Sequence, residues 1–546
     1  MAKKKTKGKH LHSLVRKKSE EKVNAHEESH GPQSNFNVCT HERYELNNCK
    51  AKVIIQLGEK EGEFVPFYDI SFPEIGEGTR ITLDEVKIEI LSQSKLPVEK
   101  MVDLKFAEQV KKDFSDLAYR LLSNRITGED KKKLDVLVEL LINEMLGLGY
   151  LEYILLDDDI EEIVLNSSAD PAWVYHKKCG WLKTNFQIRS EKELENFASI
   201  IARRSGKQIN VLAPLLDAHL PSGDRANATL SPISSNGNTI TIRRFRRKPW
   251  TITDLISANS ITSEAMSMIW MAFEYELNIL ITGGTASGKT SFLNACTSFI
   301  RPNQRIITIE DTREITLPKF LHWVPMTTRM PNTEGKGEIS MLDLLVNSLR
   351  MRPDRIIVGE VRRQREAEVM FEAMNTGHSV YTTFHADTAE ETIRRFSNPP
   401  MSLPQAMLSS ISLNITLFRN RRTGKRAVYQ LSEIVVEDRG DEQMAKSNIL
   451  FRHNTIKEQL LRQKDSIRFF DEISVHTGLT ENQINDELWE KQRILEWLVK
   501  REVFDLNDLG MVIAKYYLDK EKIYDMAKKN DDPQELIKEM RKMHGA

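Results

Sequence analysis

The stretch NILITGGTASGKTSFLNAC, residues 278–296, constrains the fold more than any other part of the chain. It places an apolar run, a glycine-bearing loop and a helical continuation in strand–loop–helix order. The loop reads Gly283, four residues, Gly288, Lys289, Thr290. Such a loop works at the end of a buried strand that feeds a helix, where the helix N-terminus offers partial positive charge and free N–H groups to an anion. The segment therefore predicts an α/β unit with a parallel sheet. Gly283, Gly284, Thr285, Ala286, Ser287, Gly288 and Ser291 are expected to cradle the phosphates of ATP, with Lys289 reaching the β and γ phosphates. Thr290 is expected to offer its hydroxyl to Mg²⁺.

Three later segments supply the partners that such a loop needs. RIITIEDTREITLP is an apolar strand running into Glu310, Asp311 and Glu314, and open α/β sheets place their ligands at strand C-termini. Glu310 is favoured there as the group that orients water, with Glu314 read as a surface residue. LRMRPDRIIVGEVR is another apolar strand, ending at Gly359-Glu360. Gly359 stands where an aspartate is usual, so Glu360 serves alone, through magnesium-bound water or by polarising the nucleophile. TGHSVYTTFHAD forms a fourth strand ending at His385, placed to sense a γ-phosphate. His378 is read as packing between elements.

At 546 residues, the chain exceeds what one core supports, since single cores stop growing at about 250–300 residues. The segment 1–40, rich in Lys and His, is expected to be a disordered basic tail. Residues 41–145 read as a small α+β and helical domain. Residues 146–245 read as a second α+β domain containing a helix at EKELENFASIIARRSG and a hairpin around Asn236-Gly237-Asn238. A basic cluster at Arg243, Arg244, Arg246, Arg247 and Lys248, followed by Pro249, marks a linker at 246–252. The motor domain is expected over 253–450 and a helical, highly charged segment over 451–546. The four cysteines, Cys39, Cys49, Cys179 and Cys296, exclude a disulfide scaffold. Cys39, His41 and Cys49 make a weak metal candidate. No run of about 20 apolar residues is present, so a cytoplasmic protein is expected, with peripheral membrane contact left open.

In order, GGTASGKT, ITIEDTRE, RPDRIIVGEVR and TGHSVYTTFHA resemble the Walker A, Asp box, Walker B and His box of the type II and type IV secretion ATPase superfamily. The resemblance extends upstream through LDDDIEEIVLN and LDAHLPSGDRANATLSPIS and downstream to about residue 530. RFSNPPMSLPQAM and the late helical segment resemble the archaeal branch, which assembles archaella and type IV pilus-like filaments. The glycine before Glu360 is itself similar to that family. The resemblance implies a RecA-like motor domain behind a PAS-like N-terminal domain over 146–245, assembled as a homohexamer. It further implies that Arg225, Arg243 and Arg244 complete the nucleotide site. The expected partner is a polytopic membrane platform protein at the inner face of the cell membrane, with pilin-like or archaellin subunits added indirectly.

The expected activity is ATP hydrolysis coupled to mechanical work. The alternative is a nucleic-acid-transport or helicase-like motor on the same core. A net charge of -1 and the lack of basic patches interleaved with aromatics count against it. A module that binds nucleotide without hydrolysing it has no need of Glu310, Glu360 and His385 together.

Overall fold

The apolar runs that flank the glycine loop become strands buried on both faces. A computed structural model describes residues 42–47, 49–93, 104–126, 130–220, 223–245, 248–331, 335–439 and 442–544. The expected tail, Cys39, His41, Arg246 and Arg247 lie outside the described residues, all of which fall in one compact unit.

The first sheet has nine strands: β1 (Arg43–Glu45), β2 (Ile54–Gly58), β3 (Phe67–Ser71), β4 (Ile160–Leu165), β5 (Trp173–His176), β6 (Gly180–Thr184), β7 (Leu215–His219), β8 (Arg225–Thr229) and β9 (Thr239–Arg243). Their spatial order is β1-β2-β3-β6-β5-β4-β9-β8-β7. The two N-terminal parts expected as separate domains thus share one sheet, joined where β3 pairs parallel with β6 through Phe67–Lys183 and Tyr68–Thr184. The buried Asp157 carboxylate strengthens the join by accepting from Tyr44 Oη at 2.6 Å and Tyr68 Oη at 2.9 Å. Only the helices Glu77–Gln93, Leu104–Arg125 and Lys131–Leu146 form a cluster of their own, around Val86, Leu122, Val138 and Leu141. The expected helix appears at Glu191–Arg204, N-capped by Ser190, which accepts from Glu193 N. β8 and β9 form the expected antiparallel pair.

The second sheet also has nine strands: β10 (Ile279–Gly283), β11 (Arg305–Glu310), β12 (His322–Thr327), β13 (Arg355–Val358), β14 (Ser379–Phe384), β15 (Leu413–Arg419), β16 (Arg426–Arg439), β17 (Glu442–Asn454) and β18 (Gln459–Arg462). Six run parallel in the order β12-β11-β13-β14-β10-β15, and β16, β17 and β18 continue the sheet antiparallel. Alternate residues of the central strands enter opposite cores, as the two-residue period of a strand requires. Ile279, Ile281, Ile306 and Ile357 pack with the helix Ser263–Glu274, whereas Leu280, Ile307, Ile356 and Val358 pack with the helices Met341–Ser348 and Gln364–Asn375. A sheet covered on both faces is why these strands read as unbroken apolar runs rather than alternating ones.

The boundary expected at 450 differs from the structure. β17 and β18 carry the sheet on to Arg462, and the helical segment begins at Phe469. Five helices follow, Phe469–Thr477, Glu481–Lys500, Leu506–Leu518, Lys520–Lys529 and Gln534–His544. They share a core with the helix Ser263–Glu274 through Leu495, Leu498, Leu509 and Ile513. Among the described residues no helix is long and apolar enough to cross a membrane.

Candidate active site

At the end of β10 the backbone enters conformations that only certain residues accept. Gly283 has φ +148° and Gly288 φ +94°, while Ala286 is held at φ +59°. A Cβ on Gly283 would lie 2.5 Å from the Leu417 carbonyl of β15, and one on Gly284 would lie 2.8 Å from Asp387 Oδ1. The loop is therefore threaded between β15 and the turn after β14 with no room for side chains at its first two glycines. Ser287 Oγ donates to the Gly284 carbonyl at 2.8 Å and braces the turn. The helix Lys289–Cys296 starts from this loop. Lys289 Nζ donates to the carbonyls of Gly283 at 3.0 Å and Gly284 at 3.2 Å. Burial lowers the Lys289 pKa, against the pull of Glu360 and Asp387.

The parallel register brings the expected carboxylates alongside the loop. Glu310 closes β11 and is 2% exposed. Its Oε1 accepts from the backbone N–H groups of Glu314 at 2.9 Å and Ile315 at 3.0 Å, while Oε2 has no hydrogen-bond partner among the described residues. Burial pushes its pKa up to about 7, against the two backbone donors. Gly359 lies against Glu310: a Cβ there would make an ordinary contact of 3.4 Å with Glu310 Cγ. The residue that replaces the usual aspartate thus packs directly beside the neighbouring strand's glutamate. Glu314 itself is exposed.

Glu360 sits between His385 and an arginine that the sequence reading did not single out. His385 Nε2 lies 2.8 Å from Glu360 Oε1, and Arg362 donates to Glu360 Oε2 through Nε at 2.9 Å and Nη2 at 2.5 Å. Arg362 Nη1 also reaches Asp311 Oδ2 at 2.8 Å. A signal for Arg362 was present: in GEVR it stands two residues beyond Glu360, close enough to fold back on the carboxylate it follows. His378 lies at the opposite end of β14, with Nδ1 3.2 Å from Thr376 Oγ1.

A cleft of about 1220 Å³ runs between the two sheets. Thr290, Glu310, Glu360 and Arg362 line it from one side, and Asp217 and Arg225 from the other. Arg225, at the start of β8, pairs with Asp217 through Nε at 3.1 Å and Nη2 at 2.9 Å. Arg243 is exposed and stands opposite Arg225 across β8 and β9. Arg244 is not brought to the cleft. Its side chain is 6% exposed, with Nη1 donating to the carbonyls of Asp157 and Ile160 and Nη2 beside Asp158. Its guanidinium instead binds the backbone that leads into β4.

The family model described as Type II/IV secretion system protein matches residues 154–493, more than half of the chain. The chain belongs to that family. Its match takes in the glycine loop, Glu310, Glu360, His385 and Arg225. The secretion-family chain is 32% identical over 419 residues to the uncharacterized protein MJ0900 of Methanocaldococcus jannaschii, covering 74% of this chain and 73% of that protein. It is 30% identical over 313 residues to the Type IV secretion system protein PtlH of Bordetella pertussis, covering 51% of this chain and 91% of that protein. Among solved structures it resembles the Legionella pneumophila ATPase DotB at 20% identity and a TM-score of 0.39, covering 69% of this chain and 93% of that one.

The expected metal candidate at Cys39, His41 and Cys49 falls mostly outside the described residues. Cys49 is a half-buried free thiol whose Sγ donates to the Ala51 carbonyl at 3.1 Å, and burial raises its pKa. Cys296 is a buried free thiol, and Cys179 is disulfide-bonded. Among the described residues no group of three or more His, Cys, Asp or Glu could hold a metal ion.

Proposed function

We propose that this secretion-family ATPase is a homohexameric motor that hydrolyses ATP at Gly283–Thr290 and drives the assembly or rotation of an archaellum or type IV pilus-like filament. The observation that carries the reading is that Lys289, His385 and Glu360 meet at the glycine loop while Thr290, Glu310 and Glu360 line a cleft whose opposite wall supplies Arg225. In this reading the phosphates lie on the loop backbone and Lys289 shifts from the Gly283 and Gly284 carbonyls to the β and γ phosphates. Glu310, with one buried oxygen unpartnered, accepts a proton from the attacking water. His385 links Lys289 to Glu360 and registers whether the γ-phosphate is present. Arg225 exchanges Asp217 for developing phosphate charge, as a planar guanidinium suits.

The donor set fits Mg²⁺, a hard cation that is held by a few oxygens and by substrate phosphate rather than by a full protein cage. Thr290 and Glu360 would hold it. When bound, the ion would supply positive charge to offset that of the phosphates. The site is expected to be shared around the ring, and the work step to be a change of angle between the two sheets across residues 246–252. Force would pass to a polytopic platform protein from a position at the inner face of the membrane.

The test is steady-state MgATPase activity against protein concentration, with Glu360→Gln and Arg225→Ala beside the wild type and DNA added in a parallel set. Specific activity that rises with concentration, falls in both variants and ignores DNA supports the shared-site motor. Activity independent of concentration, or stimulated several-fold by DNA, overturns it, the latter in favour of a nucleic-acid motor.

A further inference from the structure

The catalytic carboxylates mark only one end of the glycine loop. β11 and β13 lie to one side of β10, beyond β14, and β15 adjoins β10 on the other side. A triphosphate whose γ end faces Glu310 and Glu360 therefore directs its nucleoside toward β15 and β16. The hairpin that joins these strands, Arg419 to Arg426, carries five basic residues in eight positions.

Two of those residues face each other. Arg419 and Arg426 are directly opposed across the antiparallel pair, an arrangement of like charges that destabilises a hairpin unless something else uses it. Arg419 Nη2 donates to a neutral acceptor, Tyr175 Oη of β5, at 3.0 Å. Among the described residues, neither guanidinium meets a carboxylate. Arg426 is exposed, and its Cδ is the nearest atom to the position a Cβ would take on Gly288, at 3.7 Å. Its backbone is fixed, because the Arg426 carbonyl accepts from Ser260 Oγ at 2.9 Å. An anchored, unneutralised arginine thus overhangs the last glycine of the loop, at the end away from the catalytic groups.

We infer that Arg426 receives the nucleoside half of ATP, its planar guanidinium stacking on the base beside the α-phosphate. Arginine rather than lysine suits the role, since a flat, weakly hydrated cation stacks on an aromatic ring while still answering phosphate charge. Arg419 completes the positive field and, through Tyr175, ties this end of the site to the first sheet. The inference rests on the nucleotide-site reading above and adds a residue that selects for the nucleoside.

The test is titration of the full-length chain with a fluorescent ADP analogue, followed by displacement with ADP and with tripolyphosphate, for wild type, Arg426→Ala and Arg426→Lys. Thermal melts confirm that the variants fold. Arg426→Ala is expected to weaken ADP about tenfold, to weaken tripolyphosphate displacement much less, and to raise KM for ATP with little change in kcat. Arg426→Lys is expected to recover only part of the loss. Equal weakening of ADP and tripolyphosphate, or ADP affinity unchanged in Arg426→Ala, overturns the inference while leaving the nucleotide site standing. Absence of binding to the wild type overturns that site reading itself, and this inference with it.

Discussion

His385 Nε2 lies 2.8 Å from Glu360 Oε1 while its Nδ1 lies 3.4 Å from Lys289 Nζ, so one imidazole spans the loop lysine and the glutamate of β13. Burial and then the Lys289 charge lower the His385 pKa, against the pull of Glu360. The ring is therefore neutral at pH 7. A neutral ring suits the lysine contact, with the Nδ1 lone pair toward the ammonium. His385→Ala should lower kcat by about 10- to 100-fold while leaving ADP affinity within about threefold of wild type. Single-turnover hydrolysis beside equilibrium ADP binding separates the two. A collapse of ADP affinity with kcat preserved would contradict the linking role.

Glu310 gives the site its pH dependence. With a pKa pushed up to about 7 by burial, the carboxylate is protonated and unable to act as a base below neutrality. Hydrolysis should therefore fall on the acid side with a midpoint near 7, and Glu310→Gln should abolish activity at every pH. Stability runs the other way. The folded state holds this proton where the unfolded chain has released it, so stability declines as pH rises from about 4.5 toward 7. Glu310→Gln keeps an oxygen for the Glu314 and Ile315 N–H groups and removes the buried charge. At pH 8 the inactive variant should be more stable than wild type, by at most about 3 kcal/mol, read as a higher guanidinium midpoint.

The sequence made the central sheet and loop legible because strands buried on both faces leave unbroken apolar runs, and because the loop's backbone needs glycine at fixed positions. Ile279–Gly283, Arg305–Glu310 and Arg355–Val358 carry that mark, and Ser379–Phe384 is as fully buried though Ser379, Thr382 and Thr383 interrupt its apolar residues. What it left unread depends on pairing between distant segments. Phe67 opposite Lys183 merges two expected domains into one sheet, and nothing local to either residue announces it. Arg244 in its basic run and Arg225 in SGDRANA invite the same reading, yet one is buried against carbonyls and the other lines the cleft. Arg426 was passed over because it owes its place to a hairpin that brings it beside Gly288.

Gly359 tests whether the missing aspartate is a defect or a fit. A Cβ there meets Glu310 Cγ at 3.4 Å, ordinary contact, and Gly359 carries no positive φ. Gly359→Ala should therefore fold and retain at least about a third of the activity, a loss below 1 kcal/mol in the barrier. Gly359→Asp sets a second carboxylate beside buried Glu310, where like charges disfavour ionisation. Its acid limb should move to higher pH than that of wild type, with most activity lost at pH 7. A pH–rate profile of the two variants decides; an unmoved limb in Gly359→Asp would contradict the proximity argument.

The C-terminal helices are fastened to the helix Ser263–Glu274 by an ion cluster around buried Lys491, and its loss should be felt as stability. Lys491 Nζ, fully buried, lies 3.0 Å from Glu274 Oε2 and 3.2 Å from Glu487 Oε2, and Lys520 Nζ lies 2.9 Å from Glu487 Oε1. Glu274 ends the helix Ser263–Glu274 just before β10, so the cluster anchors the helices behind the glycine loop. Burial alone would raise the Glu487 pKa, but Lys491 and Lys520 hold it down at about 2. A depressed carboxylate stabilises the fold above its unfolded pKa, and that contribution is lost as pH falls from about 4.5 toward 2. Lys491→Met strips the cation from two facing carboxylates and should cost about 3–5 kcal/mol, whereas Lys491→Met with Glu274→Leu should recover a large part. Denaturant midpoints at pH 7 measure the first effect, and their decline toward pH 3, flatter in Glu487→Gln than in wild type, measures the second. A Lys491→Met chain as stable as wild type would mean that apolar contacts around Leu495 and Leu498 hold the helices without the ions.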